Sequence, residues 1–226
     1  TDKARLTALE KAVAMEHECD VDKQAASYKT LNEARALLRR FKSAVGQFQY
    51  CYTAQAEANR QYQSHLKTAR LYISHFIQVL NLAVLRNEVR KEHKLFYGLD
   101  PEDFAVPELT GEKHILVWGE RLIEGERERV SHGGAPIYNP TIAKVTVHYD
   151  IFKEAYREQQ NYKLNTTRSQ SGLDALREEA DRIILDLWNQ VEAYYADLPA
   201  EIRLNRCRAY GVVYYYRSCL LYTSPS

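Results

Sequence analysis

A long stretch without helix-breaking residues constrains this chain more than any other feature. From Gln47 to Tyr97 the sequence contains no glycine or proline, and Gly46 is the only such residue before it. Alanine, leucine, arginine, lysine, glutamate and glutamine, which all have high helix propensity, are frequent there. The sequence therefore predicts long helices over this part of the chain.

Apolar and aromatic residues recur along the same stretch at alternating steps of three and four. This spacing places them on one helix face and is typical of a contact with a partner helix. Apart from two polar residues, the stripe consists of Leu38, Phe41, Val45, Phe48, Tyr52, Tyr62, Leu66, Ala69, Ile73, Phe76, Leu80 and Ala83. The polar residues, Gln55 and Asn59, indicate either a polar layer within one long helix or a turn between two helices.

Residues 98–139 are predicted to form a connector with short helices. Gly98 lies where a glycine that terminates a helix would fall, and Asp100-Pro101 is typical of a helix start. A further helix is predicted from about Thr110 to Val130, with Trp118, Leu122 and Ile123 facing inward, and Gly133-Gly134 is predicted to end it.

The second helical arm is predicted to begin at Asn139-Pro140 and to run to Leu198. Its apolar stripe consists of Ile142, Val145, Tyr149, Phe152, Tyr156, Leu176, Ala180, Ile184, Leu187, Val191 and Tyr194. A turn is plausible over Asn165–Gly172, where helix propensity is low. Pro199 is predicted to open a short helix ending near Ala209, and the β-prone run Val212–Tyr216 is compatible with a short strand. We expect that run to meet another strand, a downstream domain or a second copy.

The two arms also resemble each other. A constant shift pairs Phe41-Lys42 with Phe152-Lys153 and Ile73 with Ile184, and it aligns the two polar middles. A duplication would favour four shorter helices over two very long ones.

These patterns together predict an all-α fold, an antiparallel bundle of long amphipathic helices. It would be a four-helix bundle or a set of paired long hairpins, with a short-helix connector and an optional short C-terminal strand. The predicted organisation is a first arm over residues 1–97, a connector over 98–139 and a second arm over 140–198. A C-terminal helix and β-prone tail follow over 199–218.

The last residues, 219–226, resemble the translated read-through of a sequencing adapter, so we expect the natural sequence to diverge near residue 218. Cys19, Cys51 and Cys207 then remain, widely spaced and without a Cys-x-x-Cys motif. This usage favours reduced thiols and a cytoplasmic location. No stretch is long and apolar enough for a stable membrane span, and the N-terminus does not read as a signal peptide.

No motif predicts catalysis, a metal site or a cofactor. Glu-x-x-His, His-Glu-x-x-His, Gly-x-Ser-x-Gly and the phosphate-binding loop are all missing from the sequence. The nearest set of metal ligands is Glu16-His17-Glu18-Cys19, whose consecutive side chains point to different faces of a helix. We therefore expect no enzyme activity.

Three sets of residues are candidates for an interaction surface. Arg35, Arg39 and Lys42 would share one helix face, and Arg86, Arg90 and Lys94 another. The third set is Tyr214, Tyr215 and Tyr216 in the β-prone tail. Tyrosine is unusually frequent, with seventeen residues, and it suits both the edges of helix contacts and protein interfaces.

Two segments, Ala69–Asn81 and Pro136–Val145, resemble a family of helical bacterial proteins of unknown function. The resemblance spans most of the chain and implies a bacterial origin, but it implies no activity.

The leading hypothesis is a non-enzymatic structural or interaction bundle that assembles with a protein partner or with itself. A bundle that acts on membranes is one alternative. Nucleic-acid binding through the basic helix faces is another, although a net charge of +1 does not favour it.

Overall fold

The computed structural model describes residues 1–18 and 24–215, with only the backbone given for residues 16–18. These residues form helices and no strand, which confirms the predicted all-α class. The helices are α1 (Asp2–Glu18), α2 (Tyr28–Leu85), a 3₁₀ helix (Lys91–Tyr97), α3 (Glu112–Ser131), α4 (Ile142–Tyr194) and α5 (Ala200–Ala209).

The chain divides into two compact units. Unit 1 contains Thr1–Cys51 together with the residues from Thr166 onward, and unit 2 contains Tyr52–Asn165. The helices α2 and α4 contribute one part to each unit. Each unit therefore contains part of both predicted arms. The sequence patterns instead divide the chain between one arm and the next, at residues 97 and 140.

Unit 1 is built on antiparallel parts of α2 and α4, covered by α1 and α5. Thr30 donates a hydrogen bond to Asp186 (3.0 Å), and Arg40 donates one to Glu179 (2.5 Å), which fixes the antiparallel direction. The core buries Leu9, Leu31, Leu37, Phe41, Ile183, Leu187, Val191 and Cys207. Tyr210, directly after α5, is buried with them.

Unit 2 is built in the same way, with α3 and the 3₁₀ helix as covering elements. The Tyr62 ring packs against Phe152 with 6.1 Å between centroids, and Tyr72 stacks on His148 at 4.1 Å. These contacts again make α2 and α4 antiparallel. The unit 2 core includes Ile73, Phe76, Leu80, Ile115, Leu122 and Val145.

The turns considered in the middle of each arm do not occur. Gln55 and Asn59 lie inside α2, a helix of 58 residues, and the segment 165–172 lies inside α4, a helix of 53 residues. Buried Thr166 donates a hydrogen bond to the carbonyl oxygen of Cys51 (3.2 Å), so this weakly helical segment is held by tertiary packing. Of the two alternatives left open by the sequence, each arm therefore contains one long helix rather than two shorter ones.

The first arm ends earlier than its sequence indicates. α2 stops at Leu85, and Asn87 adopts a left-handed conformation with φ of 59°, which asparagine tolerates better than most residues. Gly98 does terminate a helix, but it is the 3₁₀ helix. The predicted helix start at Asp100 is wrong, because the Asp100 carboxylate accepts the backbone N–H of Glu102 (2.9 Å) in a local turn.

The other predicted boundaries agree with the structure more closely. α3 occupies Glu112–Ser131, against a prediction of about Thr110 to Val130. Leu122 is fully buried, while Trp118 and Ile123 are partly buried against the same core. Asn139-Pro140 precedes α4, and Pro199 directly precedes α5.

Two glycines let α3 pack closely against its neighbours. A Cβ atom at Gly125 would lie 2.6 Å from the backbone oxygen of Phe96, and one at Gly119 would overlap the Tyr149 ring. The glycines therefore lower the intrinsic helix propensity of α3 but allow backbone contact in the unit 2 core.

We expect Gly125→Ala to destabilise the protein, since the clash involves backbone that cannot rotate away. The loss should be about 1–3 kcal/mol, which outweighs the gain in helix propensity. Gly172→Ala is the matched control: it lies in α4 with no atom within 4 Å of an added Cβ. That change should stabilise the protein by up to about 1 kcal/mol. Urea unfolding measures both, and equal stabilisation by the two changes would contradict the close contact.

Candidate functional site

An apolar cleft in unit 1 is the strongest candidate for a binding surface. It has a volume of about 460 Å³ and is formed by α1, α4 and the segment that follows α5. We call it the unit 1 cleft. Its apolar lining consists of Ala4, Ala8, Ile184, Leu185, Trp188, Val213 and Tyr215.

The cleft exists because large apolar residues on α4 face small residues on α1. Ala4 and Ala8 are one helical turn apart and leave space open that longer side chains would fill. On the opposite side, Leu185 is 60% exposed although its neighbour Ile184 is buried. Leu185 and Trp188 lie beside the predicted apolar stripe of α4, so they widen its apolar face. The sequence carries this signal as two large apolar residues, Leu185 and Trp188, that lie outside the predicted stripe.

The charged side chains in the lining neutralise each other. Arg5 donates two hydrogen bonds to Asp181, from Nε to Oδ1 at 2.8 Å and from Nη2 to Oδ2 at 2.6 Å. The hydrogen bonds from the Arg5 guanidinium hold the pKa of the Asp181 carboxyl below its usual value. The pair therefore presents no free charge to an occupant of the cleft.

The segment Val212–Tyr215 follows α5 and forms no strand, so the predicted short C-terminal strand does not occur over these residues. A strand requires a hydrogen-bonded neighbour, and the surrounding elements of unit 1 are helices. The side chains nevertheless alternate. Val212 is buried, while Val213 and Tyr215 are 52% and 88% exposed and line the cleft.

The three predicted tyrosines have different environments. Tyr214 is partly buried, and its hydroxyl donates a hydrogen bond to Glu192 (2.8 Å). Tyr215 lies at the cleft with its side chain exposed. Tyr216 lies outside the described residues. Tyr215 therefore lines the cleft, whereas Tyr214 makes a contact within unit 1.

The first basic set lies on α2, as its spacing predicts, but it is not a free cationic surface. Lys42 is 3.4 Å from Glu10 in an exposed ion pair, and Arg35 donates a hydrogen bond to Asn32 (3.2 Å). Arg39 is exposed on the same helix. Exposed ion pairs of this kind contribute little to stability and leave a surface of mixed charge.

The second basic set does not form a shared face, because α2 ends before it. Arg86 follows the helix and pairs with Glu88 at 2.8 Å, whereas Arg90 precedes the 3₁₀ helix. Lys94 is fully buried, and its Nζ donates to the carbonyl oxygen of Asp103 and lies 4.3 Å from the centre of the Phe104 ring. Burial lowers the pKa of Lys94. The predicted shared helix face is therefore not formed, and Lys94 is not part of the surface.

Lys94 instead helps to hold the acidic connector against the helices of unit 2. Asn81 of α2 donates a hydrogen bond to the Phe104 carbonyl (3.0 Å), and Arg70 donates one to the Thr110 carbonyl (2.9 Å). Residues 98–112 contain five acidic and no basic side chains, whereas residues 58–85 of α2 contain no acidic side chain. The connector and α2 are therefore complementary in charge.

A groove in unit 2 combines apolar and acidic side chains. It has a volume of about 520 Å³, and its acidic side chains are Glu57, Glu154 and Glu158. Two of these form ion pairs on their own helices, Glu57 with Arg60 at 3.0 Å and Glu154 with Arg157 at 3.8 Å. Nothing in this groove distinguishes a ligand site from a solvated helix surface.

A buried polar cluster in unit 2 has a structural role. Tyr97, Glu126 and Arg129 are each at most 1% exposed. Arg129 donates to the Glu126 carboxylate at 2.9 Å and to the Tyr97 hydroxyl at 2.7 Å, while the Tyr97 hydroxyl donates to Glu126. Arg129 also donates to the Ala135 carbonyl (2.7 Å), and the Ile137 N–H donates to Glu126 (2.8 Å). The cluster thus joins the 3₁₀ helix, α3 and the segment before α4.

Within the side chains that the structure describes, no group of histidine, cysteine, aspartate and glutamate residues is arranged to hold a metal ion. The Glu16–Cys19 set lies outside those side chains. None of the described helices is both long and apolar enough to span a membrane.

Comparison with known proteins gave no match to a family model, a curated protein or a solved structure.

We expect Glu126→Ala to destabilise the protein by about 3–5 kcal/mol, because it leaves the Arg129 guanidinium buried without its counter-ion. Glu57→Ala is the control, since it removes one member of an exposed pair with Arg60. Chemical denaturation measures both variants. A loss no larger for Glu126→Ala than for Glu57→Ala would show that the buried cluster does not stabilise unit 2.

The same cluster predicts a pH dependence. Burial, reinforced by the hydrogen bond to Glu126, raises the pKa of Tyr97 above its ordinary value. A raised pKa in the folded state stabilises the protein below the unfolded-state pKa, about 10, and this stabilisation is lost as pH rises further. Above pH ~10, we expect the free energy of unfolding to fall less steeply with pH for Tyr97→Phe than for the parent protein. The two slopes should differ by up to about 1.4 kcal/mol per pH unit. Urea unfolding at several alkaline pH values measures the two slopes, and identical slopes would contradict the assignment.

Proposed function

We propose that this chain is a non-enzymatic interaction protein that binds a protein partner through the unit 1 cleft. The observation that carries the proposal is the exposure of Leu185, Val213 and Tyr215 around one apolar cleft. Grouped apolar exposure of this kind is typical of binding surfaces, whereas single exposed apolar residues are not informative.

The composition of the cleft suits a protein interface. Tyrosine and tryptophan are enriched among residues that dominate binding energy, and both occur here as Tyr215 and Trp188. Complete burial of one such apolar or aromatic side chain contributes about 1.5–3 kcal/mol. Burial of Tyr215 with two aliphatic neighbours therefore supports binding, provided that the partner presents an apolar surface of matching shape.

The charge balance of the cleft favours a protein partner over nucleic acid. Phosphate groups bind where arginine and lysine side chains are free, and Arg5 is committed to Asp181. Of the second predicted basic set, Arg86 is paired with Glu88 and Lys94 is buried, which leaves Arg90 as its one exposed side chain outside an ion pair among the described residues. Neither observation supports electrostatic binding to a polyanion.

The cysteines support a reducing, cytoplasm-like compartment as part of this proposal. Cys51 and Cys207 are both buried and free of disulfide bonds. Buried cysteines behave as small apolar residues and do not need an oxidising environment.

Site-specific photo-crosslinking tests the interaction. A photoreactive phenylalanine analogue in place of Tyr215 should give crosslinked protein adducts in cells that naturally produce the chain. The matched control carries the same analogue in place of Tyr50, which is 72% exposed in unit 1 and does not line the cleft. Mass spectrometry of the adducts identifies the bound protein.

Adducts from the Tyr215 position alone would support binding at the cleft. The proposal fails if the Tyr215 position gives no adduct, or if both positions give the same adducts at equal yield. The second result would indicate non-specific contact with neighbouring proteins.

A further inference from the structure

We propose that the occupant of the unit 1 cleft is a second copy of this chain, paired about a two-fold axis through the segment Val212–Tyr215. This inference rests on the proposed function, because it names the partner at the same surface. It follows from the backbone of the segment, from the direction of its side chains and from its charge.

The backbone of the segment is available for pairing. Among the described residues, the N–H and C=O groups of Val213, Tyr214 and Tyr215 form no backbone hydrogen bond. Side-chain exposure alternates here, as it does in an extended chain, and valine and tyrosine have high strand propensity. An extended segment with unpaired backbone groups is a template for a strand from another chain.

Antiparallel pairing of two identical segments produces two-fold symmetry, and it also places their side chains correctly. Side chains alternate along an extended segment, so Val213 and Tyr215 point to one side and Val212 and Tyr214 to the other. Val212 is buried in unit 1, and the Tyr214 hydroxyl donates a hydrogen bond to Glu192 of the same unit. In an antiparallel pair, the outward side chains of both copies share one face, where each Tyr215 can reach the cleft of the other copy.

The neutral character of the surface is compatible with this occupant. The sequence from Tyr210 to Tyr215 contains no charged residue. The charged side chains of the cleft, Arg5 and Asp181, are paired with each other. Two copies can therefore approach at this surface without like-charge repulsion, and no charge loses its counter-ion when the cleft closes. A two-fold contact of this kind is also closed, so assembly stops at the dimer.

Sedimentation velocity of the full chain across the micromolar range tests the inference. We expect a reversible shift from monomer to dimer as concentration rises. Tyr215→Ala and Val213→Asp should each raise the dissociation constant by on the order of a hundredfold, because a two-fold interface loses the contact twice. Tyr50→Ala, which removes another largely exposed tyrosine outside the cleft, should leave the constant unchanged.

Amide hydrogen exchange separates strand pairing from general apolar association. The N–H groups of residues 213–215 should exchange more slowly in the dimer than in the monomer, while the exposed face of α2 around Tyr50 should not change. Circular dichroism of the variants checks folding. Both substituted side chains are at least half exposed in the monomer, so the helical signal should be retained.

A strictly monomeric protein would overturn the inference, as would a dimer that Tyr215→Ala and Val213→Asp do not weaken. If the protein is monomeric but the Tyr215 position still crosslinks to a different protein, the proposed function stands and only the identity of the partner is wrong. If neither dimer nor adduct forms, both proposals fail.

Discussion

The antiparallel contact between α2 and α4 is the interaction on which the rest of each unit depends. Helices of 58 and 53 residues are not stable through their own hydrogen bonds alone, since most helical stability in proteins comes from packing of an apolar face. In unit 1 this contact also supports α1 and α5, and in unit 2 it supports α3 and the connector. Polar links reinforce it, such as Thr166 with the Cys51 carbonyl in unit 1.

The sequence predicts the helices well because their main determinant is local. Apolar residues at steps of three and four, together with missing glycine and proline, indicate long helices, and the structure contains them. It does not predict that the helix continues through Thr166, because the cost of this weakly helical residue is offset by its contact with Cys51, which is far away in sequence. Asn87 illustrates the opposite case. Helix propensity alone predicts that the helix continues past this point, but α2 ends at Leu85. The left-handed conformation of Asn87 turns the chain, and the 3₁₀ helix that follows packs against α3.

The candidate site was predicted only in part, for a related reason. The β-prone run identified Tyr215, but its partners Ala4, Ala8 and Leu185 come from α1 and α4 and share no motif with it. Lys94 shows why spacing of charges alone misleads. On one continuous helix it would share a face with Arg86 and Arg90. Because α2 ends at Leu85, the chain changes direction and the Lys94 side chain is buried instead. Spacing is informative only when the element that carries it is uninterrupted.

The position of the cleft depends on one close backbone contact. Gly211 has φ of 88°, which favours glycine, and a Cβ atom on it would lie 3.0 Å from the Cα atom of Ala8. The chain after α5 can therefore turn directly against α1, so that Val213 and Tyr215 come to lie beside Ala4 and Ala8 rather than further from the helix. A larger residue at 211 would move this segment outward and open the cleft on one side. The apolar surface and the unpaired backbone thus lie together because a glycine and an alanine allow two backbones to touch.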